Sequence, residues 1–229
     1  MIKHNLEHIR QTIRSACEGA GTSPQEVRLI AVSKTKPLPK LLAAYDLGVR
    51  DFGENRVQEL LEKKKNLPED IRWHMIGHLQ TNKVKQLVGH TALIHSIDSL
   101  RLADAIEAEA GKRNIQVEGL LEINVAKEAS KFGFLPEDAL AAAQRCQLYS
   151  HLKIRGLMTV APYTLDPENN REVFAKLKQL AVDINFKTND NTNMEYLSMG
   201  MTGDYGVAVQ EGGGFTTFVR IGTGIFGVR

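Results

Sequence analysis

The amino-acid sequence predicts a single (β/α)8 TIM barrel with one additional N-terminal helix, and three observations support this. Eight short segments rich in aliphatic residues alternate with amphipathic helical segments along the chain. The 229 residues divide into eight units of about 29 residues, near the lower size limit of this barrel. No Pro-, Gly- or Ser-rich linker interrupts the alternation, so we predict one domain over residues 1–229. A doubly wound open sheet shows the same alternation and is the alternative fold.

The predicted elements follow from the periodicity of the apolar residues. An N-terminal helix is predicted over residues 1–20, because Leu6, Ile9 and Ile13 recur at helical spacing. The first strand, residues 28–34, is apolar on both faces, which is typical of a strand covered on both sides. The other predicted strands are 49–53, 71–76, 92–97, 117–125, 153–160, 194–198 and 217–221. The helices between them are predicted at 40–46, 56–65, 82–88, 100–110, 136–149, 168–184 and 204–211, with no helix after the last strand.

Composition and charge limit the possible functions. The chain is 42% hydrophobic and 24% charged, with a formal net charge of +2, so no overall field favours nucleic acid or a membrane surface. No apolar run is long enough to cross a bilayer, and the N-terminal segment carries charges that a signal peptide lacks. Cys17 and Cys146 lie far apart in the sequence, so we expect neither a disulfide nor a thiolate metal site, and a cytoplasmic location.

A lysine at the end of the first strand is the first candidate functional residue. Sites of this barrel are built at the C-terminal ends of the strands, where Lys34 lies. Partial burial there would favour its neutral amine and make it a candidate Schiff-base nucleophile. The alternative is that Lys34 only extends its amine to solvent at a strand end. Lys36 precedes Pro37, which favours an extended geometry that carries the Lys36 side chain beyond the barrel rim.

Two glycine-rich turns follow the seventh and eighth predicted strands, at residues 198–204 and 219–227. The loops after these two strands form the usual phosphate site of this barrel. Glycines allow backbone N–H groups to approach an anion closely, and Ser and Thr hydroxyls add donors. The alternative is that the glycines serve only the tight turns. Because strand 8 pairs with strand 1 in a closed barrel, the turns and Lys34 together predict a pocket for an aldehyde that carries a phosphate, such as pyridoxal 5′-phosphate (PLP).

Other candidate motifs carry less weight. His74 and His78 are four residues apart, but the segment between them is predicted as a strand, where this spacing does not readily clamp a metal ion. The run Lys63-Lys64-Lys65 is interpreted as a solvated helix end rather than a nucleic-acid-binding patch. We therefore predict no metal site.

Ordered segments along nearly the whole chain resemble the pyridoxal phosphate homeostasis protein family, whose fold is similar to the N-terminal barrel of alanine racemase. The matching segments are residues 29–36, 52–59, 73–83, 95–98, 155–158, 197–201 and 219–222. The resemblance implies that Lys34 is the Schiff-base lysine, that Asn55 lies near the cofactor ring, and that Arg220 faces the pyridine nitrogen. The phosphate-binding residues it implies are Ser198, Gly200, Met201, Thr202, Gly222 and Thr223, and Met158 completes the predicted cofactor-binding set.

Two departures from the family pattern bear on the phosphate site. Thr202 stands where the family usually has serine, which keeps the hydroxyl. The segment 212–215 is about three residues longer than usual before the eighth strand, which leaves the phosphate contacts there open.

The resemblance implies a PLP-binding protein of intracellular PLP homeostasis without catalytic turnover, so no catalytic residue is assigned. Apoenzymes that accept PLP would be its partners. A positive charge at Arg220 would disfavour protonation of the pyridine nitrogen and weaken the ring as an electron sink. We expect a monomer, because the sequence up to Arg229 has no counterpart of the dimerising β domain of alanine racemase. The alternative is a single-domain PLP-dependent racemase or lyase that uses Lys34 as its only base.

Overall fold

The chain folds into a closed barrel of eight parallel strands, each hydrogen-bonded to the next in sequence order, with β8 pairing back onto β1. A computed structural model describes residues 1–188 and 193–227 of this fold. The predicted TIM barrel with an additional N-terminal helix is thus confirmed, and the open-sheet alternative is wrong.

The strands are short and the helices between them vary in length. The strands are β1 Val27–Val32, β2 Asp51–Glu54, β3 Arg72–Met75, β4 Leu93–Ile97, β5 Val117–Glu122, β6 Leu152–Met158, β7 Tyr196–Met201 and β8 Thr216–Ile221. The helices are α1 Ile2–Ala20, α2 Leu38–Asp46, α3 Val57–Asn66, α4 Val84–Leu87, α5 Leu100–Arg113, α6 Ala139–Cys146, α7 Arg171–Lys187, α8 Tyr205–Glu211 and α9 Thr223–Phe226.

The N-terminal helix covers the side of the barrel where α8 and α9 lie. Its buried face contains Leu6, Ile9 and Ile13, as the apolar spacing predicts. Asn5 adds a specific contact, since its side-chain amide donates to the Ile225 carbonyl at 2.9 Å. The helix ends at Gly21, whose φ of +65° is a left-handed conformation that glycine adopts without cost.

Two apolar layers hold the barrel together, because successive strand residues point alternately inward and outward. The outward side chains pack under the helices in one large core, to which Val219 and Ile221 of β8 belong. A small cluster fills the barrel interior: Ile30, Leu93, Leu120, Met158 and Phe218. The interior above and around this cluster is polar, and the site described below depends on that polarity.

Several predicted boundaries are wrong in an informative way. The first strand ends at Val32 rather than at residue 34, and a turn follows it. The one-turn helix α9 follows β8, where no helix is predicted. Short 3-10 turns at Thr81–Lys83, Pro136–Asp138 and Pro167–Asn170 replace the first turns of three predicted helices. Within residues 1–188 and 193–227, no helix has the length and apolarity needed to span a membrane.

Candidate functional site

A cavity of about 620 Å³ opens at the C-terminal ends of the strands, the end at which sites of this barrel form. Its volume is in the range of small-molecule sites. Seven of the ten residues predicted to bind a cofactor line it: Lys34, Asn55, Met201, Thr202, Arg220, Gly222 and Thr223. Residues from the first, second, seventh and eighth strand ends therefore meet at one cavity.

Lys34 lies in a turn at the mouth of the cavity. The Lys36 amide donates to the Ser33 carbonyl at 3.0 Å and closes this turn, so Lys34 follows the strand instead of ending it. Lys34 is exposed, and the partial burial predicted for it is wrong, because the strand stops two residues earlier. The Lys36 amine donates to the Gly227 carbonyl at 2.9 Å and does not line the cavity. Of these two lysines, only Lys34 reaches the cavity.

A buried ion cluster holds the turn in place from below. The Lys63 amine donates to the Ser33 carbonyl at 2.7 Å and to one carboxylate oxygen of Glu54 at 2.8 Å. It also donates to Glu59 at 2.7 Å, and Glu59 in turn accepts the Thr35 amide at 2.6 Å. Thr35 has a φ of +61°, a conformation that β-branched residues rarely adopt, so this hydrogen bond supports a strained residue next to Lys34.

The cluster corrects the interpretation of the lysine run as a solvated helix end. Lys63 is 6% exposed and Glu54 is completely buried. Burial raises the pKa of Glu54, while the hydrogen bonds from Lys63 and Ser33 oppose that rise. Lys63 points under the turn because it lies on the buried face of α3, with Val57 and Leu60. Lys65 remains exposed, as expected of a helix end.

Asn55 follows β2 and lies over the barrel interior, where it lines the cavity. The loop after β3 passes so close that a Cβ on Gly77 would lie 2.7 Å from the Cα of Asn55. Only glycine fits there, and this contact fixes the backbone that carries the Asn55 side chain.

A β-bulge shapes the turn after β7. Ser198 lies opposite Phe218 and Met201 opposite Arg220, so β7 has one residue more than β8 in this interval. Gly200 lies in the bulge with a φ of +84°, and a Cβ there would come within 2.5 Å of Ala208. The bulge brings Met201 and the following residue over the cavity.

Asp204 fixes the loop after the bulge. One oxygen of its carboxylate accepts the Met201 amide at 2.6 Å, and the other accepts the Asn170 side-chain amide at 2.8 Å. Thr202 is held between these anchors with its hydroxyl toward the turn after β8, where the Thr223 hydroxyl donates to it at 3.2 Å. The two threonine hydroxyls are thus side by side at the cavity.

The turn after β8 forms the adjoining wall. Gly222 lies against β1, and a Cβ there would be 3.3 Å from both the Cβ and the carbonyl oxygen of Val32. A side chain at this position would therefore be crowded by β1. The long segment 212–215, expected to affect this region, lies before β8 at the opposite end of the barrel, because helix-to-strand turns of a parallel barrel lie opposite the strand-to-helix turns.

Arg220 is the cationic residue at the floor of the cavity. Its guanidinium donates to the Ser198 hydroxyl at 2.6 Å and to the Thr159 carbonyl at 2.8 Å. It is 5% exposed, and burial lowers its pKa to about 10 although Glu122 and Asp204 oppose that change. The guanidinium is therefore charged at neutral pH without a direct carboxylate partner among the described residues.

A buried hydrogen-bonded chain continues from Ser198 through the barrel. The Ser198 hydroxyl lies 2.8 Å from Nδ1 of His95, and Nε2 of His95 lies 2.9 Å from Nδ1 of His74. Nε2 of His74 lies 2.9 Å from the carboxylate of Asp51, which Arg72 also binds with two hydrogen bonds. Although burial alone would raise it, the pKa of Asp51 is held well below its usual range by the hydrogen bonds from Arg72 and His74.

This hydrogen-bonded chain has one consistent sequence of donors and acceptors when both histidines are neutral. A guanidinium only donates and an ionised carboxylate only accepts, so every hydrogen bond donates in the direction from Arg220 to Asp51. Burial holds the pKa of His95 well below its usual value, which keeps that ring neutral. The chain fixes the guanidinium of Arg220 in one orientation at the cavity.

Three predicted binding residues do not line the cavity. Met158 belongs to the apolar interior cluster beneath it. Gly200 packs against α8, and Ser198 holds Arg220 instead of facing the cavity. Their assignment to the cofactor site stays a prediction.

The sequence reasoning missed a second set of lining residues. Residues 160–164 follow β6 and, together with Lys131 from the loop after β5, line the cavity. In the closed barrel these strand ends lie across from β1, which Lys34 follows. The Lys131 amine donates to the Val160 carbonyl at 3.0 Å and pairs with Glu128 at 2.6 Å. Tyr163 is 92% exposed at the rim. The signal that could have found them is their position after a strand end, since Val160 continues the inward-pointing alternation of β6.

Glu122 lies in a neighbouring cavity of about 180 Å³ that shares Lys131 and Val160 with the larger one. Burial raises the pKa of Glu122 to about 7, with nearby Asp98 acting in the same direction and Arg220 in the opposite one. The carboxyl is thus a group that titrates near neutral pH beside the cavity.

The two histidines considered as metal ligands have separate partners. His74 lies in the buried chain, while Nδ1 of His78 lies 2.7 Å from Asp98 and its ring stacks on Phe132 at 3.8 Å between centroids. Among the described residues, no group of three or more His, Cys, Asp or Glu side chains is arranged to hold a metal ion.

The donor set of the cavity fits an aldehyde that carries an anionic group. Lys34 supplies an amine, and Thr202 and Thr223 supply hydroxyls beside the turn at Gly222. Arg220 supplies a fixed positive charge deeper in the cavity. An amine and two hydroxyls around one cavity are groups that an aldehyde and a phosphate require.

Comparisons with known proteins identify relatives of the same size. Residues 2–229 match the family model described as alanine racemase, N-terminal domain. The pyridoxal phosphate homeostasis protein of Aquifex aeolicus is 42% identical over 225 residues, which cover 98% of this chain and 96% of that protein. The protein of the same name from Pseudomonas aeruginosa is 38% identical over 231 residues, which cover 100% and 96%.

Solved structures share the fold over the same length. PipY of Synechococcus elongatus, solved with PLP bound, superposes with a TM-score of 0.84 at 34% identity and covers 99% of this chain and 100% of its own. Alanine racemase of Clostridium difficile shares the fold at 13% identity with a TM-score of 0.75, and the match covers 100% of this chain and 56% of the racemase. The chain therefore belongs to the pyridoxal phosphate homeostasis protein family and has the barrel fold of the alanine racemase N-terminal domain.

Proposed function

We propose that the protein binds PLP as a Schiff base on Lys34 and serves intracellular PLP homeostasis in the cytoplasm without catalytic turnover. The observation that carries the proposal is the shared cavity: Lys34 and the hydroxyls of Thr202 and Thr223 line the same space of about 620 Å³. The relatives named pyridoxal phosphate homeostasis protein and the PLP-bound PipY structure support the choice of ligand.

Each part of the cavity has a separate task in this proposal. The amine of Lys34 would bond to the aldehyde carbon of PLP, and the hydroxyls of Thr202 and Thr223, with the turn at Gly222, would bind the phosphate. Asn55 would contact the ring, and Met201 would belong to the phosphate-binding turn. Ser198 and Gly200 would act through the residues they position, and Met158 would support the floor from the apolar cluster.

Arg220 is the residue that argues against turnover. PLP supplies an electron sink to enzymes when its ring nitrogen carries a proton. Ser198 and the Thr159 carbonyl hold the charged guanidinium of Arg220 in place, so a ring nitrogen facing it would stay unprotonated by like-charge repulsion. The protein would thus keep PLP bound and available, with apoenzymes that accept PLP as its partners. We further propose that it acts as a monomer.

Absorbance spectroscopy of the purified protein tests the proposal. Incubation with PLP followed by gel filtration should leave a yellow protein, and borohydride should bleach the colour. Lys34→Ala should lose the absorbance, whereas Lys36→Ala, whose side chain donates to Gly227 away from the cavity, should keep most of it. A wild-type protein that stays colourless with excess PLP would refute the proposal.

A panel of amino acids offered to the PLP-loaded protein tests the absence of turnover. We expect no racemisation and no release of altered product. Turnover that disappears in Lys34→Ala would instead establish the racemase or lyase alternative.

A further inference from the structure

The cavity of about 620 Å³ proposed above to bind PLP is called the PLP cavity here. The opposite, N-terminal end of the barrel contains a second cavity of about 420 Å³. It is lined by α1 and by the first residues of β1, β2 and β3. Five of its lining residues are arginines: Arg10, Arg14, Arg28, Arg50 and Arg72. We call this surface the arginine cavity.

Positive charge is concentrated there far beyond the average of the chain. The five guanidinium groups face a single lining carboxylate, that of Asp51, although the whole chain has a formal net charge of only +2. Asp51 is already engaged by two hydrogen bonds from Arg72 and one from His74. Asp51 therefore compensates Arg72, and no other carboxylate among the described residues lines the cavity.

Three of the arginines keep most of their donors available. Arg28 is exposed and has no hydrogen bond, ion pair or ring contact within the described part of the chain. Arg10 uses one nitrogen on the Leu47 carbonyl, and in the same part of the chain Arg14 binds Gln11 of its own helix. Arg50, by contrast, is tied to Asp70 and lies over the Tyr45 ring. The unpaired donors thus come from α1 on one side and β1 on the other.

Guanidinium groups that converge from two elements favour a ligand with several anionic oxygens. Arginine binds phosphate with paired, charge-assisted hydrogen bonds, and a diphosphate offers enough oxygens for donors on both sides of a cavity. Apolar side chains line the same cavity and leave room for an organic part of the ligand: Ile13, Pro24, Val27, Leu29 and Val49. The volume is in the range of sites for small organic ligands.

From this arrangement we infer that the arginine cavity binds a small molecule carrying a diphosphate group, at a site separate from the PLP cavity. The inference does not depend on PLP binding. Arg10 and Arg28 contact the anionic oxygens from opposite sides, and Arg72 contributes while it keeps its hydrogen bonds to Asp51.

Isothermal titration of the full chain with inorganic pyrophosphate, and separately with adenosine diphosphate, tests the inference. We expect both probes to bind at low salt and to bind more weakly as salt rises, because the contacts are ionic. Arg28→Gln should weaken binding by about fivefold or more, since it removes charge-assisted hydrogen bonds. The double variant Arg10→Gln/Arg28→Gln should weaken it by more than about tenfold.

Matched variants separate this site from general charge and from the PLP cavity. Arg101→Gln/Lys85→Gln removes two positive charges from other exposed positions and should change the affinity by less than about twofold. Excess PLP in the calorimeter cell should leave unchanged the binding of pyrophosphate that depends on Arg28. Arg28 has no partner among residues 1–188 and 193–227, so Arg28→Gln gives a readout even where the double variant is unstable.

Three results would overturn the inference. The first is no binding of either probe to the wild-type chain at millimolar concentration. The second is equal weakening in Arg28→Gln and in the control pair. The third is tighter binding of a single-stranded oligonucleotide than of pyrophosphate through the same arginines, which would make the surface a nucleic-acid contact.

Discussion

Replacing Lys63 by methionine should destabilise the protein far more than a substitution in a lysine run of a helix end normally does. Methionine keeps the length of the side chain but removes the amine, which donates to Ser33, Glu54 and Glu59 at 2.7–2.8 Å. Glu54 is completely buried, and one of its carboxylate oxygens already has no partner. Removal of one partner of a buried ion pair costs about 3–5 kcal/mol, so Lys63→Met should lower the free energy of unfolding by that amount.

Urea denaturation followed by circular dichroism measures this loss, with Lys65→Met as the control. Lys65 lies two residues away and is exposed, so its substitution should cost less than about 0.5 kcal/mol. The double variant Glu54→Gln/Lys63→Met removes both buried charges and should recover a large part of the stability lost in Lys63→Met alone. A loss below about 1 kcal/mol in Lys63→Met, equal to that of the control, would refute the structural role of the cluster.

The pH dependence provides a second check on the same variant. Burial raises the pKa of Glu54 above its usual value of 4.5, and the loss of Lys63 removes the main opposing interaction. A carboxyl whose pKa is raised in the folded state contributes stability that is fully present below pH 4.5. This contribution is lost as the pH rises through the pKa of Glu54 in the folded protein. The stability difference between wild type and Lys63→Met should therefore shrink as the pH is lowered toward 4.5.

The remaining predictions concern the cavity and its surroundings. Thr202→Ala should weaken PLP retention by a factor that corresponds to about 1.5–3 kcal/mol, and Gly222→Asp should weaken it more than the uncharged Gly222→Ala, as measured by equilibrium dialysis with thermal unfolding as a check of the fold. Equal retention by all three variants and wild type would place the phosphate elsewhere. Glu122, with a pKa raised to about 7, should contribute stability that is full below pH 4.5 and is lost as pH rises through 7. Glu122→Gln should remove this dependence from thermal unfolding curves recorded between those pH values, and an unchanged profile would contradict the assignment. Sedimentation at micromolar concentration should show a monomer, and a stable dimer would contradict that proposal.

The sequence predicted the barrel because its information is local and repeated. Each strand is marked in the sequence by an apolar run, and eight such strands alternating with helices favour a closed barrel. The same local signal failed at the end of β1, where the turn at Ser33 depends on hydrogen bonds to Glu54 and Lys63, residues 21 and 30 positions away. Such long-range contacts leave no periodic trace in one sequence.

The candidate site was predictable where a backbone turn carries the function and less so where a side chain acts through another. The glycine turns placed Gly222 and Thr202 at the cavity, because glycine and hydroxyl patterns are visible in the sequence. The resemblance assigned Ser198 to the phosphate; in the structure its hydroxyl accepts a hydrogen bond from Arg220, and the bulge that follows it carries Met201 over the cavity. A bulge adds one residue to a strand without a distinctive sequence, so its effect appears only in the fold.

The site of covalent attachment tests the central claim most directly. The purified protein is incubated with PLP, reduced with borohydride, digested and mapped by mass spectrometry. The account predicts the pyridoxyl label on Lys34, because its side chain lines the cavity that contains Thr202 and Thr223, whereas Lys36 donates to Gly227 outside that lining. A label found mainly on Lys36, or on Lys131 at the other side of the cavity, would contradict it.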